Sequence, residues 1–136
     1  MCHSPAMQVL SWAQFDQAVQ LLASRFVDSA VTGVYGVPRG GLCLAVALSH
    51  AIDRPLLSAP EQSALIVGDV YETGRTLKAL KAQVTQASFA VWVSKCSPDW
   101  WTPAMVTDSS EWVVFPWENL EQVRSDEQAY RASRGL

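Results

Sequence analysis

Short unbroken apolar runs alternate along this chain with segments whose apolar residues recur at helical spacing. Ala64-Leu65-Ile66-Val67 is such a run, bounded by turn residues, and it predicts a strand buried on both faces, as in a parallel sheet. Asp69 is placed where that strand emerges, and Leu77-Lys78-Ala79-Leu80-Lys81-Ala82-Gln83-Val84 follows as a helix with Leu77, Leu80 and Val84 on one face. Upstream, Phe15, Ala18, Val19, Leu22 and Phe26 predict a helix over 11–27 capped by Ser11, or by Asp16 if it starts later. Gln8-Val9-Leu10 reads as a short edge strand. The β-branched content of 31–37 predicts the first core strand, and Leu42 to Ile52, apolar nearly all round, predicts a buried helix. Residues 54–58 form a short strand with Pro55 at its start or on an edge. Residues 88–95 form the next strand, and 96–103 an irregular stretch. From Asn119 to Arg134 a charged surface helix turns Leu120, Val123 and Tyr130 toward the body. The order of elements gives an α/β fold: a mainly parallel twisted sheet with helices on both faces, and a small hood made by the region after Lys95 or by the N-terminus.

Composition narrows the function. The chain has 136 residues, 49% hydrophobic and 17% charged, enough for one domain, 1–136, with a real core. Its net charge is −3 and its pI about 5.2, with no lysine or arginine cluster, so no nucleic-acid surface is expected. No apolar run is long enough to span a bilayer, and residues 1–5 lack the charged and apolar regions of a signal peptide, so no membrane partner is expected. Cys2, Cys43 and Cys96 are widely spaced with no C-x-x-C, which fits neither a disulfide framework nor a zinc site and points to a reducing cytoplasm. Cys43 and Cys96 read as small core residues, and His3 and His50, each isolated, as surface residues or satisfied partners rather than ligands.

The chemistry lies where strands run into helices through glycine. Thr73-Gly74-Arg75-Thr76 joins the central strand to the helix that begins near Leu77. Free N–H groups and the positive end of the helix dipole collect there. Hydroxyl donors flank a glycine that lets the backbone approach a ligand, and a phosphate suits that geometry. Asp69 at the strand end would hold sugar hydroxyls or a metal bound to them. Pro38-Arg39-Gly40-Gly41 is a second such joint, with a guanidinium fork suited to phosphate oxygens. A nucleoside-triphosphate P-loop matches less well, because five residues rather than four separate Gly68 from Gly74 and Arg75 replaces the lysine.

Residues 64–77 resemble the phosphoribosyl pyrophosphate (PRPP) motif of the type I phosphoribosyltransferases: an apolar run, two acidic residues, then a loop ending in Thr-Gly-x-Thr. Arg39-Gly40-Gly41 is similar to the pyrophosphate loop of the purine members, in which the peptide before the arginine can be cis. Trp112 to Glu118, closing in Phe-Pro-Trp-Glu, is similar to the end of the 6-oxopurine members of xanthine–guanine and hypoxanthine type.

The resemblance implies Mg²⁺-dependent transfer of a 5-phosphoribosyl group from PRPP to guanine, xanthine or hypoxanthine, with release of pyrophosphate, in purine salvage. It gives the 5′-phosphate to Thr73, Gly74, Arg75 and Thr76, and a ribose hydroxyl and the metal to Asp69. Arg39 and Gly40 take the pyrophosphate. Glu72 stands where purine members place an aspartate as base near N7. Lys95 donates to the exocyclic oxygen of the base, Trp112 stacks on the ring, and the backbone at Val113 reads its edge. Members usually form homodimers or homotetramers. Trp117 reads as core packing, and Trp100 and Trp101 as part of a hood or a subunit contact. Two departures stand out. Gly68 occupies the usual first acidic position, and only Ala59 to Ser63 separate the preceding strand from the central one, where most members carry a long closing loop. These departures motivate an alternative: a catalytically weak or inactive, regulatory protein that binds PRPP or a nucleotide.

Overall fold

In a computed structural model, which describes residues 7–133, ten elements follow one another. They are β1 (Met7–Val9), α1 (Trp12–Phe26), β2 (Val34–Gly36), α2 (Leu42–Ala51), β3 (Leu65–Tyr71), α3 (Arg75–Gln83), β4 (Ser88–Ser94), β5 (Trp101–Val106), β6 (Trp112–Val114) and α4 (Leu120–Ser133). The chain divides into two compact units: Asp16 to Asp108, and the N-terminal residues through Phe15 together with the residues from Ser109 on.

The larger unit is built on a four-stranded parallel sheet in the order β2-β3-β4-β5. Leu65, Ile66 and Val67 are fully buried, as an apolar run in a parallel sheet requires. Successive residues of a strand point to opposite faces. Gly68 faces Leu77 of α3, whereas Asp69 faces Gly40 at the entry to α2, so α2 and α3 cover opposite sides of the sheet. Leu56 makes an isolated parallel bridge to Val34 on the outer side of β2. The chain therefore leaves β2 in one direction and β3 in the other. That reversal is the topological switch point where open α/β sheets bind ligands.

Several expectations change. The central strand continues past Asp69 to Tyr71, and the first core strand contracts to three residues. α2 is buried on one side only: Leu44, Ala45 and Leu48 are inside, while Leu42 and Val46 are exposed. Cys43 and Cys96 are both exposed, not core residues. The stretch expected to be irregular, 96–103, ends inside β5, an edge strand that tolerates Pro103 because its outer side needs no ladder bond. Trp101 is buried in the core with Tyr71, Leu77 and Phe89, and Trp100 packs against them. Arg54, at the start of a presumed strand, instead ties turns together. Its guanidinium donates to the carbonyls of Val31 (3.1 Å), Ile52, Val27 (3.0 Å) and Ser29 (3.3 Å). Arg54→Ala removes these charge-assisted bonds and is expected to lower unfolding free energy by about 2 kcal/mol, measurable by denaturant titration.

In the smaller unit β1 pairs parallel with β6, Gln8 opposite Val113. Ser11 caps α1 as expected and does so reciprocally: its hydroxyl accepts the Gln14 N–H (3.1 Å) and the Gln14 amide oxygen accepts the Ser11 N–H (2.8 Å). Trp117 is a packing residue, stacked on Phe115 (5.1 Å, 4°) and edge-on to Phe15 (5.9 Å). On α4 Val123 is buried, but Leu120 is exposed, contrary to the periodicity. Among the described residues no helix is long and apolar enough to cross a membrane.

Candidate active site

The larger unit gathers both glycine joints at the carboxyl ends of β2 and β3. The Val37 N–H donates to the Val67 carbonyl (2.9 Å), locking the two strand ends side by side. The chain then turns through a cis Pro38–Arg39 peptide, and Gly41 and Leu42 N–H groups close the turn on the carbonyls of Val37 (2.9 Å) and Arg39 (3.1 Å). Gly40 lies directly against the Asp69 carboxylate: a Cβ at Gly40 would collide with Oδ2. The pyrophosphate-loop candidate and the ribose candidate, separated by 28 intervening residues in sequence, are thus in contact.

Asp69 is half-buried, and Oδ1 accepts the Val70 N–H at 2.7 Å. Burial pushes its carboxyl above the ordinary value of 3.8, against the pull of hydrogen bonds from the Val70 and Asp69 backbone. An ionised Asp69 is therefore a group in want of a cation. Gly68 beside it has room for a side chain, the first atoms met being Val91 Cγ1 at 3.5 Å and the Leu77 methyls at 3.9 Å. That space is apolar.

Beyond Tyr71 the chain forms a small cradle. Residues 72–77 and Val70 line a hollow of about 130 Å³, equivalent to about four water volumes and so wide enough for a phosphate group. Gly74 takes the left-handed conformation (φ 72°) that turns the strand into α3, and no side chain caps that helix start. The Thr73 hydroxyl accepts the Arg75 N–H (3.4 Å), and the Gly74 carbonyl accepts the Lys78 N–H (2.7 Å). Glu72, Thr73, Arg75 and Thr76 are exposed, as is Arg39. All four residues assigned to the 5′-phosphate thus line one hollow at a helix N-terminus, with Glu72 on its rim.

Lys95 is half-buried just past β4, and its N–H donates to the Tyr71 carbonyl (2.8 Å). Trp112 and Val113 lie on β6 in the smaller unit. Val113 is buried, and the Trp112 ring is edge-on to Tyr130 at 5.4 Å. Tyr71 and Ser94, to which the sequence assigns no role, and Trp101, expected in a hood or a subunit contact, lie in direct contact with the cradle or the Lys95 turn. The aromatic residue closing the apolar run was the available signal.

Mg²⁺ is rarely held by an all-protein cage. It keeps waters and takes one or two carboxylates plus substrate phosphates. Among the described residues no group of three or more His, Cys, Asp and Glu is assembled. Asp69 is one carboxylate of the kind that such a site uses.

No family model matches the chain. It is 26% identical over 139 residues to the xanthine-guanine phosphoribosyltransferase of Desulfotalea psychrophila, covering 83% of this chain and 87% of that protein. Its fold is similar to a purine phosphoribosyltransferase from Pyrococcus horikoshii, with TM-score 0.70, 28% identity, and coverage of 82% of this chain and 94% of that one. A hypothetical protein from Neisseria gonorrhoeae with bound ppGpp superposes equally well, with TM-score 0.70 at 14% identity, covering 99% of this chain and 100% of that one.

Proposed function

We propose that this chain, 26% identical to a xanthine-guanine phosphoribosyltransferase and 28% identical to a purine phosphoribosyltransferase, is a type I phosphoribosyltransferase that transfers a 5-phosphoribosyl group from PRPP to a 6-oxopurine and releases pyrophosphate. The observation that carries the proposal is the contact of Gly40 with Asp69 at the switch point, one strand end away from a threonine- and arginine-lined cradle.

Such a reaction needs little covalent help from the protein. The ribose carbon becomes cation-like and a diphosphate leaves, so positioning and charge stabilisation carry the rate. The backbone N–H groups at the start of α3, with Thr73, Arg75 and Thr76, hold the 5′-phosphate. Asp69 holds a ribose hydroxyl and offers its carboxylate to the metal, and Arg39 with the backbone at Gly40 meets the pyrophosphate. Mg²⁺, when bound with PRPP, neutralises the leaving diphosphate. Glu72 accepts the purine N7 proton, and Lys95 donates to the exocyclic oxygen. A cytoplasmic homodimer or homotetramer is the setting the resemblance favours.

Glu72→Gln keeps the size and loses the base. It is expected to lower kcat about a hundredfold while leaving PRPP affinity nearly unchanged, read from steady-state kinetics beside calorimetry. A drop in affinity with unchanged kcat contradicts the role.

A second reading has its own support: Gly68 lacks the carboxylate, the cradle residues are exposed, and one fold relative holds ppGpp. It makes the chain a nucleotide-binding regulatory protein. Calorimetric binding of GMP or PRPP without pyrophosphate release with any purine would favour it.

A further inference from the structure

Tyr71 closes the central strand and has no part in the chemistry above, yet it is 4% exposed and central to the larger unit. Its ring stacks on Trp101, centroids 3.7 Å apart and planes 11° from parallel. Its far end lies against Gly74, where a Cβ would run into the ring and hydroxyl. The floor beneath Gly74 of the cradle is therefore an aromatic ring, stacked on an indole.

The same indole reaches a second target. The Trp101 Nε1–H donates to the Ser94 hydroxyl (3.1 Å), and that hydroxyl donates to the Cys96 carbonyl (2.7 Å), closing the turn that carries Lys95. The Lys95 N–H returns to the Tyr71 carbonyl (2.8 Å). Trp100 braces the cluster, edge-on to Tyr71 at 6.0 Å and to Phe89 at 5.1 Å. Stacked and edge-on rings have few soft torsions, so such a cluster moves as a body.

We infer that Tyr71, Trp101 and Ser94 are positioning residues that fix the distance between the 5′-phosphate cradle and Lys95, and so set the site to the length of a purine nucleoside monophosphate. The inference rests on reading 72–76 as a phosphate site and Lys95 as a partner of the base. It assigns two separable functions to one indole: its face supports the cradle through Tyr71, and its N–H supports the lysine turn through Ser94.

Calorimetry with two probes separates them. Ribose 5-phosphate reports on the cradle alone, and GMP reports on cradle and base together. Tyr71→Leu removes the floor and is expected to weaken ribose 5-phosphate about tenfold, while Tyr71→Phe keeps the ring and restores it to within about twofold. Trp101→Phe keeps a stacking ring without the N–H. It is expected to leave ribose 5-phosphate within about twofold and weaken GMP about tenfold, and Ser94→Ala reproduces that pattern. If Tyr71→Leu does not fold, the remaining three variants still decide. Equal loss of both probes in every variant, or no loss in any, overturns the inference while the site reading survives. Wild-type protein that binds neither probe overturns the site reading itself.

Discussion

Asp69→Asn is expected to raise the thermal midpoint at neutral pH and to lower turnover about a thousandfold. Both effects come from one environment. Burial holds the Asp69 carboxyl above its ordinary 3.8 in the folded chain, so folding favours the protonated form. The stability this group contributes is complete below 3.8 and is lost as the pH rises through the higher folded value. At pH 7 the charged carboxylate is a net cost that the amide does not carry. The two proteins should therefore melt at similar temperatures near pH 3.5, and the variant's advantage should grow toward neutrality. An Asp69 kept for stability would give the opposite order. One kept for charge at the ribose and metal accepts the cost, as functional carboxylates do. Thermal melts across this pH range, beside kcat for both proteins, test the pair of outcomes.

Gly74→Ala is the second large effect. The residue sits at φ 72°, and a Cβ there would meet the Tyr71 ring. The left-handed conformation costs an L-residue about 1–2 kcal/mol and overpacking about 1–3 more, for a loss of roughly 2–5 kcal/mol. The cradle cannot relax without shifting the Tyr71–Trp101 stack, so ribose 5-phosphate affinity is expected to fall about a hundredfold. Gly68→Ala is the matched control. Its Cβ meets nothing closer than 3.5 Å, and replacing glycine within a strand stabilises by about 0.5–1 kcal/mol. Denaturant titration of both variants should separate them clearly, and equal losses would contradict the account of the turn.

The parts of the fold that the sequence disclosed are those in which one segment specifies itself. The apolar run at 64–67, bounded by turn residues, fits a buried strand, and Leu77, Leu80 and Val84 share one helical face. The loop 73–76 carries its own glycine and hydroxyls, and its four residues line one hollow. What stayed hidden depends on partners distant in sequence. β5 runs parallel to β4 after only the six residues 95–100, shorter than any helical crossover, and contains a proline, so local signals argued against it. Trp101 reads from sequence as part of a hood or a subunit contact because nothing nearby announces Tyr71 as its partner. The apolar composition of α2 hid that Leu42 and Val46 face outward, because periodicity is unreadable when nearly every position is apolar. The contact of Gly40 with Asp69 also needed the fold, since it exists only where two strand ends meet.

The most direct test is pyrophosphate release from PRPP and Mg²⁺ with guanine, xanthine, hypoxanthine and adenine supplied in turn to wild-type protein. Release is expected to require one or more of the three 6-oxopurines, to be absent with adenine, and to fall about a hundredfold in Glu72→Gln. No release with any base, from protein that binds PRPP or GMP by calorimetry, would contradict the transferase and leave a nucleotide-binding regulator in its place.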